Sequence, residues 1–205
     1  MTAEEKATAL EEIAEKIKNC QKCRLHEQRT NTVPGAGNPD ADVLFIGEGP
    51  GRDEDLQGEP FVGAAGKFLN QMLESIGWTR ADVFIANVVK CRPPGNRDPE
   101  PKEVETCWDF LNQQVEIIKP KLIVTLGRHS MNRFLPGLRI SSAHGNPVRR
   151  KDGRIFLPLY HPAAALYSPS QKEAHLADFA KIPAILKKIT ETSEPEKQPT
   201  QTKLI

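Results

Sequence analysis

"VLFIGEGPGRDEDLQGEPFVGAAG", Val43 to Gly66, holds the reading on which the fold turns. Its first five residues are apolar, too few for a helix and bounded by turn residues on both sides, so they read as a buried strand. From Gly47 onward come six glycines, five acids and two prolines. A helix then follows from Gly63 to Gly77, with Ala64, Phe68, Leu69, Met72, Leu73 and Ile76 on one face. Strand, glycine loop and helix in that order form the opening unit of an α/β protein.

The rest of the chain repeats the alternation. "DVFIANVVK" at 82–90, "KLIVTLG" at 121–127 and "RIFLPLYHP" at 154–162 are further strand candidates, and "NPVRRKDG" is a hairpin partner candidate for the last. Helices are expected over 3–18 (Leu10, Ile13, Ala14 and Ile17 as the apolar stripe), from Pro101 to about Ile118, over 128–135, and over 171–189, where Pro183 kinks or divides the helix. The expected architecture is a three-layer αβα sandwich around a short four-stranded parallel sheet. Residues 1–189 form the domain, and the polar stretch 190–205 is expected to be a mobile tail.

No apolar run is long enough to span a bilayer, and the first residues lack the basic start and apolar block of a secretory signal, so a cytoplasmic protein is expected. The net charge is only +1, but it is unevenly spread. Lys121 to Arg154 carries eight bases against one acid, Asp152, a local field suited either to nucleic acid or simply to water.

The glycine loop fits a nucleotide cradle poorly. It lacks the lysine of a Walker loop, Pro50 interrupts the Gly47–Gly49–Gly51 series, and its carboxylates would repel a pyrophosphate. An acid-lined pocket suits stabilisation of positive charge on a sugar, or a water held for attack on it. In open parallel sheets the site lies beyond the carboxyl ends of the strands. The four strand candidates end at Glu48, Asn87, Arg128-His129 and His161.

Four cysteines remain, Cys20-x2-Cys23 and the pair Cys91 and Cys107. In a cytoplasmic protein disulfides are disfavoured, and two thiols on a tight turn plus two supplied by the fold make a four-sulfur metal site. Zinc and a [4Fe-4S] cluster both meet that description.

"GEGPGRDEDLQGEPFVGAAG", "NVVKCRPPGNR" and "HPAAAL", with the four cysteines in matching order, resemble the family 4 uracil-DNA glycosylases, the iron–sulfur type of archaea and bacteria. The resemblance covers roughly residues 15–189. It implies excision of uracil from DNA by base flipping, leaving an abasic site, and a [4Fe-4S] cluster on Cys20, Cys23, Cys91 and Cys107. Glu48, Gly49 and Glu54 fall in the motif associated with water handling and the transition state, with neither acid ranked above the other. Phe61 is expected to stack on the flipped base, Asn87 to read its polar edge, and His161 to lie by uracil O2.

Leu166 is the candidate wedge in the vacated stack. Ala163 stands where many relatives have a serine that contacts phosphate, which weakens that contact here. Arg97 contacts phosphate or braces the cluster loop, and Arg128 is a further phosphate candidate. Zinc is the alternative metal. A same-fold glycosylase with wider taste for deaminated bases, and a non-catalytic nucleic-acid-binding iron–sulfur protein, are the alternative functions. The expected partner is uracil-containing DNA, single- or double-stranded, approached by a monomer. The C-terminal tail is a weak candidate contact for a repair or replication protein.

Overall fold

The structure, a computed structural model, describes residues 1–166 and 169–193. Helix α1 (Ala3–Lys18) starts at a capping box in which the Glu5 N–H donates to Thr2 Oγ1 and the Thr2 N–H donates to Glu5 Oε2. There follow β1 (Ala36–Gly37), β2 (Val43–Gly47), α2 (Arg52–Gln57), α3 (Ala64–Ser75), β3 (Phe84–Asn87), α4 (Pro101–Ile118), β4 (Leu122–Leu126) and α5 (Arg128–Phe134). The chain continues through the single turn α6 (Ile140–Ala143), β5 (Val148–Arg149), β6 (Ile155–Leu159), a 3-10 turn over Pro162–Leu166, α7 (Pro169–Phe179) and α8 (Ile182–Ser193).

The strand order is β1-β3-β2-β4-β6-β5. The central four strands run parallel, and β1 and β5 add antiparallel edges. The expected four-stranded parallel sheet is therefore present, and the two short antiparallel edges widen it to six strands. Two-residue edge strands are too short to leave a period-2 pattern, although β5 does fall within the "NPVRRKDG" stretch. Pro158 sits inside β6, but β5 ends its pairing at Phe156, so the missing N–H falls where the edge ladder has stopped.

Successive strand residues face opposite layers. Leu44, Ile46, Ile123 and Phe156 pack with Leu111 and Val115 of α4 and Met131 and Phe134 of α5. Val43, Phe45, Val124 and Leu157 pack with Leu69 and Met72 of α3, Phe179 and Ile182. Phe45 and Phe179 stack at 5.5 Å between ring centroids. Ile13 and Ile17 dock α1 on Phe110 of α4.

The helix expected over 171–189 is two helices, with Pro183 in the first turn of α8, where its lost N–H costs nothing. Helix α8 reaches Ser193, so the stretch expected as tail from Thr190 begins helical. Residues 194–205 and Tyr167 lie outside the described residues. No helix among the described residues is long and apolar enough to cross a membrane.

Leu69 is wholly buried. Leu69→Ala is expected to lower stability by about 2–5 kcal/mol. Leu56→Ala, at an exposed site, should change stability by less than about 0.5 kcal/mol. Denaturant titration of both variants measures the difference.

Candidate active site and cysteine centre

Parallel register aligns the strand ends, with Gly47 beside Asn87 and Leu126 beside Leu159. The segments leaving those ends converge on one cavity of about 380 Å³. Glu48, Gly49, Glu54, Phe61, Asn87 and His161 all line it, and Arg97 and Ala163 reach it as well. Arg128 and Leu166 do not line it.

Asn87 is 2% exposed, and its Oδ1 has no hydrogen-bond partner among the described residues. A buried acceptor left unpaired costs about 1–3 kcal/mol, so it marks a place where a donor is needed. Gly47 makes room for it: a Cβ there would lie 2.3 Å from Asn87 Oδ1 and 2.7 Å from Phe61 Cζ. The Phe61 ring stands 5.7 Å from the His161 ring, tilted by 30°. Phe61 has φ +55°, a left-handed backbone that costs a residue with a side chain about 1–2 kcal/mol.

The two candidate carboxylates differ in their surroundings. Glu54 Oε1 accepts from the N–H groups of Val62 and Gly63, both at 2.9 Å, and Oε2 accepts from that of Gly51 at 3.1 Å. Its oxygens are spent on shaping the loop that presents Phe61. No hydrogen bond among the described residues holds the Glu48 carboxylate, which faces His129 Nε2 at 3.9 Å. Burial, reinforced by the Asp98 charge and opposed by Arg128, pushes Glu48 up to about 7.

His161 is driven the other way. Burial and the neighbouring His175 bring it down to about 4, so it is neutral at physiological pH. Its Nδ1 accepts from the Ala163 N–H at 3.2 Å, which puts the ring proton on Nε2. Alanine at this position supplies that N–H as well as a serine would. The His161 carbonyl meets His175 Nε2 at 3.1 Å. A neutral Nε2–H is a donor suited to an oxygen gathering negative charge.

The Arg97 guanidinium is already committed, forming two bonds to Glu103 of 2.7 and 2.8 Å. Arg24 Nε reaches the same carboxylate at 3.0 Å. Arg128 contacts His129 Nε2 at 2.8 Å and Asp98 Oδ2 at 3.4 Å; Asp98 lines the cavity but Arg128 does not. Leu166 is 46% exposed at the end of the 3-10 turn that carries Ala163. Several other cations of the basic stretch are occupied by the protein itself: Lys121 by Asp42, Arg133 by the Trp108 ring, Arg154 by Asp152.

Glu48, Asp98 and His129 bring ligand atoms within 4.8 Å of one another and form a small group able to hold a cation. The Arg128 guanidinium already lies against two of the three.

Cys20, Cys23, Cys91 and Cys107 line a second, small pocket, all as free thiols. They join the end of α1, the loop after β3 and helix α4. Arg29 Nη1 donates to Cys91 Sγ at 3.2 Å and the Lys90 N–H to Cys107 Sγ at 3.3 Å. Burial raises Cys91 against the opposing pull of Arg29 and pushes Cys107 up to about 11 against that of Lys90, so deprotonating these thiols takes more than the nearby side-chain cations supply.

Sequence reasoning missed three groups. Arg80 binds the backbone of the Phe61 turn. Fully buried Lys90 donates from Nζ to the Asn87 carbonyl at 2.9 Å and to Gln114 Oε1 at 2.6 Å, with its ammonium driven down to about 8 by burial. Asp98, with His129, flanks Glu48. Lys90 did leave a signal, a charge closing the apolar run "VFIANVVK". Arg80 left none.

A family model described as the uracil DNA glycosylase superfamily matches residues 34–185. The type-4 uracil-DNA glycosylase of Archaeoglobus fulgidus is 48% identical over 185 residues, covering 85% of this chain and 92% of that protein. The type-4 enzyme of Sulfurisphaera tokodaii is 49% identical over 183 residues, with 85% and 83% covered. A type-5 uracil-DNA glycosylase of Thermus thermophilus is more distant, 31% identical over 149 residues, with 63% and 68% covered.

The Arg97 hydrogen bonds hold the buried Glu103 carboxyl down at about 2, helped by the Glu100 N–H and Arg24. Glu103→Gln is expected to cost about 1–3 kcal/mol at pH 7. A lowered folded-state value means this stability is complete above the unfolded carboxyl value of about 4.3 and is lost as pH falls. The gap between the variant and the parent should therefore close between about 4.3 and 2. Urea unfolding across that range measures it.

Proposed function

The chain belongs to the uracil DNA glycosylase superfamily and within it to the type-4 uracil-DNA glycosylases, and we infer that it hydrolyses the N-glycosidic bond of deoxyuridine in DNA, releasing uracil and leaving an abasic site. The observation that carries the chemistry is the orphaned Asn87 Oδ1, buried in the cavity that Phe61 and His161 also line. Uracil N3–H is a donor matched to that acceptor, and the Asn87 amide N–H matches uracil O4. Cytosine has an acceptor at N3 and a donor at C4, so both pairings fail and the Asn87 acceptor stays unpaired.

The bond lies inside the duplex stack, so the nucleotide must turn out into the cavity, with Phe61 as the face on which the ring stacks. As the C1′–N1 bond breaks, its electrons pass to the uracil ring and charge gathers on O2, where His161 Nε2–H donates. The sugar takes on oxocarbenium character. Glu48, unlike Glu54, has a free carboxylate to orient a water and accept its proton as the water oxygen bonds to C1′. Leu166, exposed at the end of the turn that carries Ala163, serves as the wedge. The reading places the protein on uracil-containing DNA as a cytoplasmic monomer.

The four cysteines would hold a [4Fe-4S] cluster. Cys20, Cys23, Cys91 and Cys107 line one small pocket, which supports a single metal group shared by all four. Two N–H donors at the sulfurs also suit metal-bound thiolate. When bound, the cluster would supply metal–thiolate cross-links between three segments, at a pocket separate from the one that Glu48, Asn87 and His161 line.

Uracil release from a single-stranded oligonucleotide containing one deoxyuridine, followed by alkaline cleavage at the abasic site, tests the activity. Folded protein that leaves uracil intact opposite guanine, adenine and nothing would overturn it. His161→Ala is expected to cost about 10²–10³ in kcat. Because Glu48 is protonated below about 7, kcat/KM should fall as pH drops through that value, and Glu48→Gln should abolish this limb. For the cluster, anaerobically purified protein should be brown and contain iron, and Cys107→Ser should lose both. Zinc in place of iron would overturn that assignment.

A further inference from the structure

Phe61 carries the stacking ring on a backbone that a phenylalanine does not adopt unaided. Helix α3 presses on it: a Cβ at Gly66 would lie 1.7 Å from the Phe61 carbonyl oxygen. That carbonyl is therefore shut in against the first turn of α3 and needs a donor from elsewhere. Arg80, in the turn between α3 and β3, supplies it. Arg80 Nη2 donates to the Phe61 carbonyl, Nη1 to the Pro60 carbonyl at 3.0 Å, and Nε to Asn70 Oδ1 on α3 at 2.9 Å. Glu54 holds the other side of the same peptides through the Val62 and Gly63 N–H groups. The left-handed turn is thus gripped by a cation on its carbonyls and an anion on its amides.

We propose that Arg80 is a positioning residue for uracil excision, fixing the Phe61 ring against the flipped base without touching DNA. The proposal rests on the reading of Phe61 as the stacking residue. All three acceptors of Arg80 are neutral oxygens, and the planar fork bridges two successive carbonyls in one orientation, which a lysine ammonium does not reproduce. Without the fork the Phe61 carbonyl stays buried and unpaired. The cheapest relief is for the turn to leave the left-handed region, which swings the ring away.

The test compares Arg80→Met, Arg80→Lys, Phe61→Leu and the double variant Arg80→Met/Phe61→Leu, by kcat and KM on the deoxyuridine oligonucleotide and by inhibition with free uracil. Arg80→Met is expected to weaken free uracil and lower kcat/KM by about tenfold each, with partial rescue in Arg80→Lys. In the Phe61→Leu background the same change should have almost no further effect, since its target is gone.

If Arg80→Met costs its full factor on top of Phe61→Leu, Arg80 does not act through Phe61 and the proposal fails. If uracil inhibition is unchanged while oligonucleotide KM rises with a shallower salt dependence, Arg80 is a phosphate contact and the proposal also fails. A Phe61→Leu variant with undiminished uracil affinity would instead remove the stacking reading itself. Should Arg80→Met not fold, Asn70→Ala loosens the same guanidinium. A fall in uracil affinity of about threefold that vanishes beside Phe61→Leu supports the proposal, and an unchanged affinity overturns it.

Discussion

The site depends on an absence of atoms at Gly47. Where β2 ends, the Asn87 amide from β3 and the Phe61 ring from the following loop occupy the space that any side chain would need. The Phe61 ring and the Asn87 amide can stand next to each other only because that backbone is bare. The parallel pairing of Gly47 with Asn87 then fixes which amide arrives there. A slip of one residue would turn Asn87 to the other face of the sheet and replace it with an apolar neighbour.

Burial has opposite consequences for the two groups that flank this slot. It raises Glu48 to about 7 and lowers His161 to about 4, because in each case it disfavours the charged form. One low-dielectric cavity so yields a carboxyl able to change protonation near neutrality and an imidazole that stays neutral. The Ala163 N–H completes the second by fixing the tautomer. Glu54 shows how a motif residue can serve a site indirectly, since its three amide contacts build the loop around the chemistry.

The Glu103 network braces the same region from outside, and the four cysteines gather beside it. Cys91 lies in the loop after β3, and Cys107 lies one turn beyond Glu103 on α4. Arg24 follows Cys23 directly and reaches Glu103, as does Arg97 from the cavity wall. Lys90 continues the connection inward, with its backbone N–H on the Cys107 sulfur and its ammonium on the Asn87 carbonyl. The segment that bears Asn87 is held by the core on one side and by these polar ties on the other.

The sequence alone determined the parallel α/β sandwich, the strand ends that meet at the cavity and the set of cysteines. Buried parallel strands are continuous apolar runs, and the residues just past them must lie at one edge of the sheet, so Glu48, Asn87 and His161 were legible from position. Tertiary structure decided the remainder. The edge strands β1 and β5 are pairs of residues defined only by their neighbours, and the division of α7 from α8 was open until packing chose it. Above all, it decided how side chains bind distant backbone and distant side chains: Arg80 meets the Phe61 carbonyl 19 residues away and Lys90 meets Gln114 across 24. Such bonds follow no period of helix or strand and use residues whose types are ordinary for a surface turn or a strand end. They exist only once the chain has folded back on itself.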